Sequence, residues 1–223
     1  VDKLIVALDV DSFKEARRFV RLLKKEVRIY KVGSILFTAA GPDLVKMIRD
    51  EGGKVFLDLK YHDIPNTVAK ACEAAAGLGL FMLDLHASGG REMLRAARAA
   101  VKKGGRSPLL VGVTVLTSRE GEGISREVVR LAVECRKAGL DGVVCSPREI
   151  EAVRVRCGKN FVIVTPGIRP AGSSRQDDQR RVATPSQAIR RGADYLVIGR
   201  PILASPRPRE VVQSILEEIS SLT

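Results

Sequence analysis

The chain has no tryptophan, only two histidines and four cysteines, and aromatic residues make up 4% of it. With so few rings there is no stacking platform of the kind that single-strand nucleic-acid binders use. The cysteines, Cys72, Cys135, Cys145 and Cys157, show no CxxC spacing and have no histidine-rich neighbours, which argues against a zinc site. Reduced, mostly buried thiols of a cytoplasmic protein are the expected reading. No apolar run approaches the roughly 18 residues that a membrane-crossing helix needs. Val1-Asp2-Lys3-Leu4 leads straight into a strand-like segment, so no signal peptide is expected. Low-complexity segments are missing as well.

What remains is a soluble globular composition: 223 residues, 45% hydrophobic, with a mean hydropathy of +0.01. That length supports one large core, and no internal boundary is visible, so residues 1–223 are expected to form a single domain. The formal charge of +12 invites a nucleic-acid reading. Lys and Arg are, however, spread along predicted helices (Lys14, Arg17, Arg18, Arg21; Arg91, Arg95, Arg98, Lys102) instead of gathered in a tail. A basic nucleic-acid-binding barrel rests on charge alone, and charge composition specifies no site. A positive field that speeds encounter with a small anion fits better.

Short apolar or β-branched runs recur at nearly even intervals: Leu4–Val10, Ile29–Gly33, Val55–Lys60, Phe81–Ala87, Leu109–Leu116, Gly142–Ser146, Phe161–Thr165 and Tyr195–Gly199. Segments of helical period lie between them, such as Phe13, Ala16, Val20 and Leu23. Glycines at Gly79, Gly139 and Gly192 stop helices just before the next strand. Near-continuous apolar strands alternating with helices predict a parallel sheet covered on its outer face. Eight units predict an α/β fold of the (β/α)8 TIM-barrel type. An open doubly wound sheet is the alternative, but no G-x-G-x-x-G follows the first strand.

In such a barrel the chemistry sits at the C-terminal ends of the strands. The polar residues there are Asp9, Lys31, Asp58 with Lys60, His86 with Ser88, Thr117, Ser146, Arg169 and Arg200. The segment Asp58-Leu59-Lys60-Tyr61-His62-Asp63-Ile64-Pro65-Asn66-Thr67 is the densest. An acid, an amine and another acid at one strand end cost folding free energy unless they pair or react. Any one of these rim residues alone reads as a helix cap or surface ion pair; several together read as a site. The seventh and eighth units end in Pro166-Gly167-Ile168-Arg169 and Gly199-Arg200, where barrels commonly hold a phosphate. The long loop Ala171–Ala183 has the length of a lid.

With these residues assembled, the chain resembles the orotidine 5′-monophosphate decarboxylase family over essentially its whole length. The matching motifs are Ala7-Leu8-Asp9, Lys31-Val32-Gly33, Asp58-x-Lys60-x-x-Asp63-Ile64-Pro65-Asn66-Thr67, Val113–Thr117, Pro166–Arg169, Asp177-Asp178-Gln179 and Gly199-Arg200. The resemblance implies decarboxylation of orotidine 5′-monophosphate to UMP with no metal or organic cofactor. It implies that Lys60 protonates C6 of the pyrimidine, and that Asp58, Lys31 and Asp63 complete an alternating charge array. It further implies a homodimer in which Asp63, Ile64 and Thr67 reach the neighbouring site. Asp9, Lys31, Asp63 and Thr67 would handle the ribose, and Thr117 the pyrimidine edge. Gln179, Gly199 and Arg200 would hold the phosphate, with Arg169 supporting that side. A bare D-x-K-x-x-D also occurs in related sugar-phosphate decarboxylases and aldolases that use a metal, which keeps that class as an alternative.

Overall fold

Each of the eight apolar runs forms a parallel strand in the computed structural model, which describes residues 2–102, 107–119, 121–170 and 182–222. The strands are β1 (Leu4–Ala7), β2 (Ile29–Gly33), β3 (Lys54–Tyr61) and β4 (Met82–His86). They continue as β5 (Leu109–Val113), β6 (Gly142–Val144), β7 (Val162–Thr165) and β8 (Tyr195–Ile198). Each pairs with the next, and β8 returns to β1 with Val197 opposite Ile5, closing the barrel. This is the (β/α)8 architecture expected from the alternation of segments.

Strand alternation divides the apolar residues into two layers. Ile5, Ala7, Ile29, Phe56, Met82, Val111, Val164 and Val197 fill the barrel interior. Their neighbours Leu4, Val6, Tyr30, Val55, Leu57 and Leu83 point outward into a second core beneath the helices. Gly142 sits where β6 passes closest to β7: a Cβ there would lie 2.2 Å from the Val162 carbonyl oxygen, so a side chain has no room.

The outer layer contains α1 (Phe13–Leu23), α4 (Pro65–Ala76), α5 (Gly90–Lys102), α6 (Ile124–Lys137), α7 (Ile150–Cys157) and α8 (Pro185–Arg190). Helix α1 starts where the Ser12 hydroxyl accepts from the Glu15 N–H at 3.3 Å, and it buries Ala16, Phe19, Val20 and Leu23. Each large side chain so buried contributes about 1.5–3 kcal/mol. Two connections carry more helix than a one-strand, one-helix reading anticipates. After β2 come α2 (Ser34–Ala40) and α3 (Asp43–Asp50), split at Gly41-Pro42, where Gly41 has φ 62°. After β8 come the short α9 (Arg200–Leu203) and the terminal α10 (Pro208–Ser220).

At the opposite end from the candidate site, one device occurs twice. Asp141, just before β6, accepts from the Leu110 N–H two residues into β5 and from Arg98 of α5, both at 2.8 Å. Asp194, just before β8, accepts from the Ile163 N–H of β7 and from Arg154 of α7, both at 2.7 Å. Each acid thus ties a neighbouring strand to an outer helix with a charge-assisted pair. The four cysteines are free and buried, as expected, and burial pushes the thiols of Cys72 and Cys135 up to about 12. No described helix is long and apolar enough to cross a membrane.

Candidate active site

The side chains that meet at the barrel mouth are selected by the two-residue period of the strands. Ala7, Ile29, Phe56, Met82 and Val197 cap the apolar interior. Two residues further along the same faces come Asp9, Lys31, Asp58, Asp84 and Gly199. All five border a cavity of about 210 Å³ at the C-terminal end of the barrel. An apolar floor therefore carries a polar ring, a geometry that strengthens every charge interaction in the ring by excluding water from below.

The ring alternates in sign. Lys31 Nζ lies 3.1 Å from Asp9 Oδ1 and 3.2 Å from Asp58 Oδ2. The other Asp58 oxygen accepts from Lys60 Nζ. The order is thus Asp9, Lys31, Asp58, Lys60, from the end of β1 across to β3. Burial works against both central charges, and the partners prevail in each case. Burial alone would lower the Lys31 pKa, but Asp58 and Asp9 raise it above the usual lysine value. Burial would raise the Asp58 pKa; Lys31, a hydrogen bond with Asp84 and Lys60 together hold it well below the carboxylate range.

Asp84 behaves in the opposite way. It is 1% exposed, and burial, followed by the charge of Asp58, pushes its pKa well above the ordinary value. Two carboxyls so placed cannot both ionise cheaply, and their shifts run in opposite directions, Asp58 toward the ion and Asp84 toward the acid.

Lys60 has φ 51°, the one positive value among the described non-glycine residues. For an L-residue this left-handed conformation costs about 1–2 kcal/mol. It arises where the pairing of β3 with β4 shifts register between Leu57 and Tyr61. The Lys60 N–H donates to Asp84 Oδ1 at 2.8 Å.

Of the residues singled out from sequence, Asp9, Lys31, Asp58, Lys60, Thr117, Arg169, Gly199 and Arg200 all border the cavity. Arg169 also donates to the Ile168 carbonyl at 2.9 Å. Gly199 has a second reason to be glycine: a Cβ there would lie 3.1 Å from both Ala7 Cβ and Asp9 Oδ2. Asp63, Ile64 and Thr67 are exposed and do not line the cavity within one chain. Asp63 Oδ1 accepts from the Ile64 N–H at 2.6 Å, and Ile64 is 66% exposed at the start of α4.

His86, Ser88 and Ser146 stand at strand ends but outside the cavity. His86 packs on His62 with ring centroids 5.3 Å apart, and burial, then His62 and Lys60, lower its pKa. The buried Ser146 donates to Glu149. Gln179 and its neighbours Asp177 and Asp178 lie outside the described residues, as does most of the segment 171–183. Asp84 escaped the sequence reading, although an acid inside Met82-Leu83-Asp84-Leu85, two residues before His86, is the signal that could have found it. Among the described residues, no three or more of His, Cys, Asp and Glu converge as a metal ion would require.

The Orotidine 5'-phosphate decarboxylase / HUMPS family profile matches residues 2–215, nearly the whole barrel with every cavity-lining strand end. The chain belongs to this family. The orotidine 5'-phosphate decarboxylase of Moorella thermoacetica is 53% identical over 98% of this chain and 92% of its own length. That of Pelobacter propionicus is 51% identical over 97% and 95%, respectively. Among solved structures, the Lactobacillus acidophilus orotidine 5'-phosphate decarboxylase superposes with a TM-score of 0.83 at 35% identity. That match covers 98% of this chain and 99% of the other. The likeness therefore extends to the whole barrel and is not confined to the D-x-K-x-x-D segment.

Proposed function

We propose that the chain decarboxylates orotidine 5′-monophosphate to UMP in pyrimidine biosynthesis, with Lys60 delivering the proton to C6. The observation that carries this reading is the alternating array Asp9–Lys31–Asp58–Lys60, set on an apolar floor inside a barrel of this family. In the reaction the C6–carboxylate bond breaks, CO2 leaves, and the electron pair stays in an sp² orbital at C6 that the ring π-system cannot delocalise. The Lys60 ammonium is placed to stabilise that charge as it forms. It then transfers its proton to C6 and is reprotonated from solvent.

Magnitudes decide how much Lys60 can do. At an effective dielectric of 20, opposite unit charges about 4 Å apart attract by roughly 4 kcal/mol, equivalent to some three decades in rate. Enzymes supply about 8–23 kcal/mol in all, so other contributions are needed. Asp58, held ionised by Lys31 and Lys60, would lie beside the departing carboxylate. Binding free energy from the remote phosphate adds to this when it is used at the reacting end. Arg200, Gly199 and Gln179 would hold that phosphate, with Arg169 supporting the same side. Thr117 would meet the pyrimidine edge.

The exposed Asp63, Ile64 and Thr67 fit a homodimer in which each chain completes its neighbour's site. In that assembly Asp9 and Lys31 would share the ribose hydroxyls with the partner subunit's Asp63 and Thr67. The free, buried thiols suit a cytoplasmic enzyme. Following the loss of orotidylate absorbance with purified protein in excess EDTA tests the function. Turnover to UMP is expected. No turnover, or turnover that EDTA abolishes, would overturn it, the latter in favour of the metal-assisted sugar-phosphate class.

A further inference from the structure

We propose that Asp84 is a positioning residue that aims Lys60 into the cavity, acting as a neutral carboxylic acid that joins the Lys60 backbone to the Asp58 side chain. The inference rests on the decarboxylase reading above and deepens it.

Along the β3–β4 seam, β3 advances from Leu57 to Tyr61 while β4 advances only from Leu83 to Leu85. Asp58, Leu59 and Lys60 are thus crowded opposite the single residue Asp84, where the register shift interrupts the regular ladder. The side chain of Asp84 supplies an acceptor for the Lys60 N–H, at 2.8 Å. That bond closes the bulge in which Lys60 adopts φ 51°, and the bulge turns the ammonium back onto Asp58 at the cavity mouth. Bulges of this kind re-aim side chains next to reacting centres.

The donor–acceptor count then fixes the form of Asp84. Its Oδ1 accepts from the Lys60 N–H, while the same carboxyl is hydrogen-bonded to Asp58, whose oxygens are otherwise acceptors from Lys31 and Lys60. An ionised Asp84 would face an ionised Asp58 with no proton between them. A protonated Asp84 accepts with its carbonyl oxygen and donates with its hydroxyl, satisfying both neighbours. The ionisable groups that act on it are Asp58, Lys60 and Tyr61 from β3 and Cys72 from α4, while β5 offers only Val111 opposite. Burial among these groups keeps the proton on Asp84.

A carboxamide has the same two functions in the same places, which makes Asp84→Asn the discriminating variant. Its kcat and its pH–rate profile between about pH 6 and 8 should match those of the wild type within about threefold, because a neutral acid does not titrate there. Asp84→Ala, which removes the acceptor, should lower kcat by about ten- to a hundredfold while UMP affinity changes little, the signature of a displaced reacting group. Should Asp84→Ala fail to fold, Asp84→Leu fills the space without an acceptor and is expected to behave the same way.

Stability gives an independent readout. In the unfolded chain Asp84 ionises near the ordinary carboxylate value, but in the fold it keeps its proton. The wild type therefore loses stability as pH rises above about 4, a loss that Asp84→Asn is spared. The Tm advantage of Asp84→Asn should widen from about pH 4 to pH 8. An Asp84→Asn enzyme as impaired as Asp84→Ala, an Asp84→Ala or Asp84→Leu enzyme with unchanged kcat, or a Tm gap that narrows with pH would each overturn the inference. A wild type inert toward orotidylate would instead overturn the decarboxylase reading itself.

Discussion

Replacing Lys31 with methionine keeps much of the side-chain volume and removes the one cation that bridges Asp9 and Asp58. Asp58 is 8% exposed, so its charge would be left with Lys60 alone. Removing one partner of a buried pair costs about 3–5 kcal/mol; with Lys60 still in place the lower figure applies, about 3 kcal/mol at neutral pH. For a chain of this size each kcal/mol is worth about 2–4 °C, so Tm should fall by about 6–12 °C. The dependence on pH is more telling than the shift itself. The Asp58 pKa is depressed in the fold, so its ion pairs contribute stability above the unfolded value of about 4 and lose it as pH falls. The Lys31 pKa is raised, so its contribution is present below about 10 and lost as pH rises through the folded value. The gap between wild type and Lys31→Met should hold from about pH 5 to pH 10 and narrow as pH falls below about 4. Thermal unfolding followed by circular dichroism from about pH 3 to pH 10 measures it. A gap below about 2 °C at pH 7, or one that does not change with pH, would refute the electrostatic account of the ring.

Two further outcomes test other parts of the site. Arg200→Ala should weaken UMP binding by about ten- to a hundredfold, the equivalent of one charge-assisted phosphate contact, and calorimetric titration with uridine and UMP should show the loss for UMP only. Mixing inactive Asp63→Asn and Lys60→Ala chains should restore part of the activity if sites are shared, since half of each mixed dimer would hold one intact set. Confirmed mixed dimers that stay inactive would remove Asp63 from the partner's site.

The barrel was legible because its determinants are local. Eight apolar runs separated by helical periods and glycine stops need no tertiary information, and every strand begins within one residue of the expected position; β1, β5 and β6 end two or three residues earlier than expected. Leu109–Leu116 ends as a strand at Val113, opposite the last residue of β6: the N–H and the hydroxyl of Thr114 both donate to the Val144 carbonyl, and Leu116 is 41% exposed. The charge ring was legible for a similar reason. Asp9, Lys31, Asp58 and Gly199 fall in register once strand period and barrel closure are assumed. Asp84 was not, because a single acid in an apolar strand reads as an interruption until the β3–β4 register shift places Lys60 opposite it. The helix pair α2 and α3 was hidden by its Gly41-Pro42 junction, which looks like a loop when a single helix per strand is expected.

The central claim is that the Lys60 ammonium, flanked by Asp58 and aimed by the bulge in β3, protonates the carbon that loses CO2. Single-turnover kinetics of Lys60→Ala on orotidylate, with UMP affinity measured on the same preparation, tests it most directly. Turnover slower by about three decades or more, with UMP still bound and the fold intact, is the predicted result. A rate within about tenfold of the wild type would contradict it.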